Sequence, residues 1–296
     1  MNVKNIIQLK NSSWLLPGPT NVGIFTDCDC GAYLIDTGCD RESGKILLRA
    51  VKQKEWQVRA IINTHSNADH MGANNFIQQA TGCEIWATKE EAAFIESPLL
   101  EESFFYGGLP FSDLRRRFYA ARPSKVTRIL TPDQTHENFR FISLPGHFFN
   151  MVGVITSDDI FYTADALFDE YVLNKYKIPY LLDVRAFKET LYKIKNIRAE
   201  LYVPSHGEFL TDIEPLANYN AFRVEEIEEK LLEILKESLS FDDIAQRLCR
   251  SFELSLTYSQ FLVICSTIRS FLSYLVDSKK ISHSMSDNKM LWEAVK

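Results

Sequence analysis

Along the first 210 or so residues of this 296-residue chain, apolar runs repeatedly end in a histidine or an aspartate, and this pattern constrains the fold most. VRAIINT runs into His65, with His70 close behind it. FRFISLPG runs into His147, and LYVPS into His206. AYLI ends in Asp36 and IFYTA in Asp165. A polar group at the end of a buried strand projects from a rigid scaffold into a loop, where side chains from several strands converge. The runs themselves are short and rich in β-branched and aromatic residues, so they read as strands: Ala32–Thr37, Val58–Thr64, Cys83–Thr88, Val126–Thr131, Phe139–Leu144, Met151–Thr156, Ile160–Ala164 and Leu201–Pro204. Ser43–Gln53, His70–Gln79 and Val184–Ile197 have the length and apolar spacing of helices. The pattern predicts a mixed α/β fold whose strand ends gather polar residues.

Taken singly, His147 and His206 suit packing or turn positions, and Asp36 and Asp165 suit loop caps. Their joint occurrence points instead to a metal site. Zn²⁺ takes imidazole nitrogen and carboxylate oxygen, and an open coordination position lets it activate water. The six cysteines do not offer a competing site, because Cys28 and Cys30 lie too close for a zinc ribbon and no second close pair accompanies them.

After His206 the texture changes, and from about Ala221 the chain reads as helix. Val224, Ile227, Leu231, Leu232 and Ile234 form a helical stripe, Ser240 stands at a helix start before FDDIAQRL, and Tyr258–Val276 is apolar along its length, suggesting burial on most sides. The terminal ISHSMSDNKMLWEAV fits a hairpin turned at Ser286, Asp287 and Asn288. The expected division is residues 1–212 and 213–296, the second part a small helical, winged-helix-like domain.

The order of the polar residues resembles the metallo-β-lactamase superfamily: Asp36 in LIDTG, then His65-Ser66-Asn67-Ala68-Asp69-His70, then Gly146-His147, Asp165, and His206 in SHG. The tail is similar to the winged-helix domain of one branch of β-lactamase-like hydrolases. The resemblance implies a four-layer αββα sandwich and a centre for one or two zinc ions, with manganese or iron as alternatives. It implies a first ion on His65, residue 67 and His147, and a second on Asp69, His70 and His206, bridged by Asp165. Asp69 would also be catalytic, orienting a metal-bound hydroxide and shuttling its proton, and Asp36 would hold a ligand histidine in place. Position 67 departs from the pattern, since Asn stands where the family has His. An amide oxygen is a poorer zinc ligand than imidazole. Three readings stay open: a one-metal enzyme on the second site, a two-metal enzyme with Asn67 or water filling the gap, and a scaffold that has lost catalysis. Phe148 and Phe149 also stand where the family has smaller residues, which suggests a narrowed or aromatic-lined pocket.

The leading expectation is a metal-dependent hydrolase acting on a small ester, thioester or lactam. Hydroxyacylglutathione hydrolase-like thioester cleavage is one class the resemblance implies. A phosphodiester-cleaving nuclease is the alternative enzyme. It is not favoured, because the chain carries a net charge of −6 and the tail from residue 221 has ten Lys and Arg against twelve Asp and Glu. A small-molecule substrate is expected, with a homodimer as an option and no membrane partner. With no signal-like apolar run before Pro17, a cytoplasmic location is the expectation. Two aromatic stretches, Phe104–Tyr119 and Phe168–Tyr180, are candidates either to line the pocket or to cover the core.

Overall fold

The computed structural model describes residues 6–112, 114–115 and 121–295, so Asp113 and Arg116–Tyr119 of the first aromatic stretch lie outside the described residues. Seven strands form one sheet in sequential order: β1 (Ile7–Lys10), β2 (Ser13–Leu16), β3 (Val22–Thr26), β4 (Gly31–Ile35), β5 (Gln57–Ile62), β6 (Glu84–Thr88) and β7 (Arg128–Leu130). The first four pair antiparallel and the rest parallel. Five strands form the second sheet: β8 (Thr135–His136), β9 (Phe139–Ser143), β10 (Val152–Thr156), β11 (Ile160–Ala164) and β12 (Leu201–Pro204), in the order β12-β11-β10-β9-β8.

The sheets face one another across a core that includes Phe25, Ile35, Ile62, Trp86, Phe139, Phe141, Val154 and Tyr162. On the outer face of the first sheet pack α1 (Arg41–Gln53) and α3 (Asn74–Thr81), through Leu47, Val51 and Ile77. Between them in sequence lies the single-turn α2 (Ala68–Met71), and beyond them α4 (Lys89–Glu96) and α5 (Leu99–Tyr106). The second sheet is covered by α7 (Val184–Lys195), which follows the short α6 (Glu170–Tyr176). Helix, sheet, sheet, helix is the αββα order expected of the chain, because each sheet hides one face on its partner and the other under helices.

The helix expected over His70–Gln79 is broken in two. The carbonyl of His70, which a continuous helix would pair with the amide of Asn74, instead accepts the Thr37 amide at 2.8 Å and the Thr37 hydroxyl at 3.1 Å. A Cβ at Gly72 would stand 1.9 Å from the Cys39 carbonyl oxygen, so only glycine lets the chain turn here. The break lets α2 present Asp69 and His70 independently of α3.

The tail comprises α8 (Glu214–Ile234), β13 (Leu239–Ser240), α9 (Phe241–Ser251), α10 (Tyr258–Asp277), β14 (Ile281–Ser286) and β15 (Lys289–Ala294). Ser240 caps α9 by accepting the Asp243 amide, and Thr257 caps α10 in a capping box with Gln260. Strands β14 and β15 turn at Asp287 and Asn288, both at positive φ, as a tight hairpin requires. α10 is long and apolar enough to cross a membrane by length and composition. Here Ile264, Cys265, Ile268, Phe271, Leu272 and Leu275 lie in a core shared with α7 and the second sheet. Its burial is confined to one face rather than most sides, since Tyr258 and Phe261 stand exposed.

Candidate metal centre

Local backbone geometry aims each candidate ligand. Asp36 follows β4 at φ 63° and Asp165 follows Ala164 at φ 53°, where an irregularity in the β11–β12 pairing bends the strand. Residues other than glycine occupy the left-handed region at a cost, and such positions concentrate at functional sites. Gly146, at φ 123°, places His147: a Cβ there would lie 2.4 Å from the backbone of Phe187 in α7.

The result is a convergence of imidazoles. The ring centroids of His65 and His70 are 3.9 Å apart, those of His65 and His147 5.0 Å, and those of His70 and His206 5.9 Å. Their tautomers follow from their partners. His147 Nδ1 donates to the Tyr180 carbonyl at 3.0 Å and His206 Nδ1 to the Pro19 carbonyl at 2.7 Å. His70 Nδ1 donates to Asp36 Oδ2 at 2.9 Å. The hydroxyl proton of Thr64 goes to that same carboxylate, so its oxygen accepts from His65 Nδ1 at 3.0 Å. All four rings therefore turn Nε2 inward.

Two groups of inward atoms result, one from His65, His147 and Asp165 and one from Asp69, His70 and His206, each with its ligand atoms within 4.8 Å of one another. Asp165 lies between them: its carboxylate is 3.6 Å from His147 Nε2, 3.4 Å from His70 Nε2 and 3.5 Å from His206 Nε2. Asp69 Oδ2 is 3.4 Å from His206 Nε2 and takes a hydrogen bond from the Thr20 hydroxyl. His65 Nε2, His70 Nε2 and Asp165 Oδ1 are buried without a hydrogen-bond partner. Buried polar atoms are rarely left so, and divalent cations held by the two groups would answer all three. Nitrogen and carboxylate donors of this kind suit Zn²⁺.

Charge is divided unevenly across the centre. Burial holds His65 and His147 below the usual imidazole range. Burial also works against charge on His70 and His206, yet the carboxylates around them win. Asp69, Asp165 and Asp36 raise His70 well above its ordinary value, and Asp165 and Asp69 push His206 up to about 11. Despite burial, Asp165 is held well below the carboxylate range, chiefly by His206 and His70, and Asp69 is lowered by the same two rings.

Asn67 sits at this centre as well, 7% exposed, its Oδ1 3.0 Å from His147 Nε2 and its Nδ2 donating to Glu101 of α5. Glu101 was not foreseen, and neither was Glu91 of α4. Both are fully buried beneath the ligand loop, and burial raises both, Glu91 to about 7. Glu91 accepts the amide and hydroxyl of Ser66 and the amide of Asn150, tying the HSNADH loop to the loop after His147. In the sequence each is one acid among several, in KEEAAFIE and LLEESFFY, with nothing in the local pattern to single it out.

Beside Asp69 opens a cavity of about 590 Å³ lined by Phe168, Tyr176, Ile178 and Tyr180, with Lys175 among them, and by Leu254, Leu256 and Ile264 of the tail. The stretch 168–180 thus lines the pocket. Phe148 does not: it is fully buried beside His65 and meets Phe94 edge-to-face, and with Phe149 and Phe104 it borders a separate hollow beside α10.

Comparison with known proteins places this geometry in a family. Hydroxyacylglutathione hydrolase GloC of Haemophilus influenzae is 29% identical over 151 residues, which cover 50% of this chain and 66% of that protein. A hydroxyacylglutathione hydrolase of Rhodopseudomonas palustris is 28% identical over 143 residues, covering 48% of this chain and 46% of that one. The chain thus matches about half to just under two thirds of these relatives' lengths. Among solved structures, a metallo-beta-lactamase family protein of Thermus thermophilus superposes with a TM-score of 0.75 at 16% identity, covering 97% of this chain and all of that one. A beta-lactamase domain protein of Burkholderia ambifaria gives 0.75 at 15% identity, covering 99% and 96%. These two share the fold, tail included. The metallo-beta-lactamase superfamily profile matches residues 15–206, the span from β2 to the last candidate ligand, and the chain belongs to that superfamily.

Proposed function

We propose that the protein is a metal-dependent hydrolase of small carbonyl substrates, with an acyl thioester as the first class to test and esters and lactams beside it. The observation that carries this reading is the inward turn of four Nε2 atoms around Asp165, beside a pocket of small-molecule size. His65, His147 and Asn67 would hold one ion and Asp69, His70 and His206 the other, with Asp165 between; zinc is the ion these donors suit best. Bound there, the ions would activate water and polarise the carbonyl under attack.

The chain's own residues supply the rest. Asp36, Thr64, Tyr180 and Pro19 fix the ring orientations through the Nδ1 bonds. Asp69, two-fifths exposed and facing the cavity, is placed to accept a proton from attacking water. The mostly apolar walls seat an acyl group, and residues 213–296, joined to the first part through a shared core, complete the pocket. The names of the two relatives support thioester cleavage within this class.

The test is a panel of acyl thioesters, esters, lactones, β-lactams and phosphodiesters, each assayed with zinc-loaded protein, chelator-stripped protein and the Asp69→Ala variant. Metal-dependent turnover of a carbonyl substrate, lost in Asp69→Ala, supports the reading. Turnover confined to phosphodiesters would move the assignment to a nuclease, and a silent panel would favour a scaffold.

A further inference from the structure

A side-chain amide can serve a metal only through its oxygen, and rotation by 180° about its last torsion exchanges that oxygen for a nitrogen with no free lone pair. Nothing intrinsic to Asn67 selects one orientation. The buried acid beside it does. Glu101 Oε1 accepts the Asn67 Nδ2–H, an acceptor role that a carboxyl oxygen keeps whether or not the other oxygen carries a proton. With Nδ2 so engaged, Oδ1 faces His147 Nε2 at 3.0 Å, on the side where His65 and Asp165 also converge. His147 Nδ1 is already committed to the Tyr180 carbonyl, so its Nε2 is the atom left to serve a ligand.

The placement of Glu101 has no other evident use. It is 0% exposed, its Oε2 has no hydrogen-bond partner, and no ion pair is formed by it among the described residues. A carboxyl group is costly to bury in this way unless it has work to do. α5 holds it there from a helix whose neighbouring Leu99 and Leu100 stand in solvent, so burial of position 101 is not a by-product of a buried helix.

We propose that Glu101 is a positioning residue for the first metal site, fixing the Asn67 amide so that its oxygen replaces the imidazole nitrogen found at this position in the superfamily. The inference rests on the metal-centre reading above. The replacement donor is harder than imidazole, so this site tolerates oxygen-preferring ions such as Mn²⁺ better than it would with a histidine at position 67.

The test is stepwise titration of the full chain with Zn²⁺ and with Co²⁺, followed by calorimetry and by the cobalt visible absorption bands, for the unmodified protein, Glu101→Leu, Glu101→Gln, Asn67→Ala and the double variant Asn67→Ala/Glu101→Leu. Glu101→Leu should weaken the first site by about 10- to 100-fold and leave the second unchanged, the size of effect usual for a group that orients a ligand. Glu101→Gln, which keeps an oxygen acceptor, should stay within about threefold of the unmodified protein. In the Asn67→Ala background the Leu substitution should have no further effect. Circular dichroism checks the fold of each variant, and Glu101→Gln against Asn67→Ala carries the comparison if the Leu variant does not fold. Two-site binding unaffected by any Glu101 variant would overturn this proposal alone. A further loss from Glu101→Leu in the Asn67→Ala background would overturn it by making Glu101 a ligand. No metal binding at either site would overturn both this proposal and the metal-centre reading.

Discussion

Asp36 Oδ2 accepts the Nδ1–H of His70 at 2.9 Å, and the same carboxylate accepts the amide and hydroxyl of Thr64, whose oxygen in turn receives His65 Nδ1. One carboxylate, itself 2% exposed, therefore sets the tautomer of one ring from each half of the centre. Removing it leaves both rings able to rotate or to shift their proton to Nε2. Asp36→Ala should weaken zinc binding by about 10- to 100-fold at both sites and retain roughly 1 to 10% of turnover. Asp69→Ala, which removes an inward carboxylate and the proton acceptor, should lose nearly all turnover. Zinc titration and a hydrolysis assay on the best substrate of the panel check the pair. Equal retention in both variants would contradict the division of roles.

Gly146 makes a second, purely mechanical prediction. Its φ of 123° is strained for any L-residue, and a Cβ would meet the Phe187 backbone at 2.4 Å, where neither side chain nor rotamer can yield. The Gly146 carbonyl also accepts the amides of Leu182 and Asp183, so α7 is docked directly onto the loop that carries His147. Gly146→Ala should cost about 2 to 4 kcal/mol in urea unfolding and lower metal affinity with it, because relief of the clash moves His147. An unchanged unfolding midpoint would refute this account.

The tail shares its core with the rest of the chain. Val224, Ile227 and Leu231 of α8 and Ile268, Phe271 and Leu275 of α10 belong to the same buried cluster as Leu167, Leu181, Val184, Phe187 and Leu191. Asn220 pairs its side chain with both the amide and the carbonyl of Phe168, and Ser270 donates to the Leu182 carbonyl. A chain ending at residue 212 should therefore fail to give a cooperative unfolding transition and should aggregate on expression, since it would expose that cluster to water. A soluble, cooperatively unfolding fragment would show that the first part stands alone.

What the sequence disclosed and what it hid follow from one distinction. The strand ends at Asp36, His65, His147, Asp165 and His206 were legible because each polar residue interrupts an apolar run, and a pattern of interruption survives without coordinates. The strands β1 to β3 and the helices α4 to α6 carry no clear period, since Ser, Gly, Thr and charged residues dilute it and burial there is decided by distant partners. Glu91 and Glu101 were hidden for the same reason. Each sits in a helix beside a second acid that is less buried, the exposed Glu90 and the half-buried Glu102, and only the fold turns one of each pair beneath the ligand loop.

Glu91 supplies the last prediction. Burial raises its carboxyl to about 7 from 4.5, against the opposing pull of the Ser66 and Asn150 donors. The folded protein thus binds a proton at this position more tightly than the unfolded chain. Between about pH 4.5 and 7 the native state holds more protons than the unfolded one, so this group's contribution to stability falls as pH rises and is flat above the folded value. The shift corresponds to a loss on the order of 3 kcal/mol across that window. Glu91→Gln cannot ionise, and its contribution should not change with pH, though it surrenders one acceptor to the Ser66 and Asn150 donors. Urea unfolding of both proteins at pH 5.5 and pH 8.0 should show the unmodified protein losing stability relative to Glu91→Gln at the higher pH. Parallel pH dependences for the two would mean that Glu91 keeps its charge without cost, and that a cation close to the ligand loop balances it.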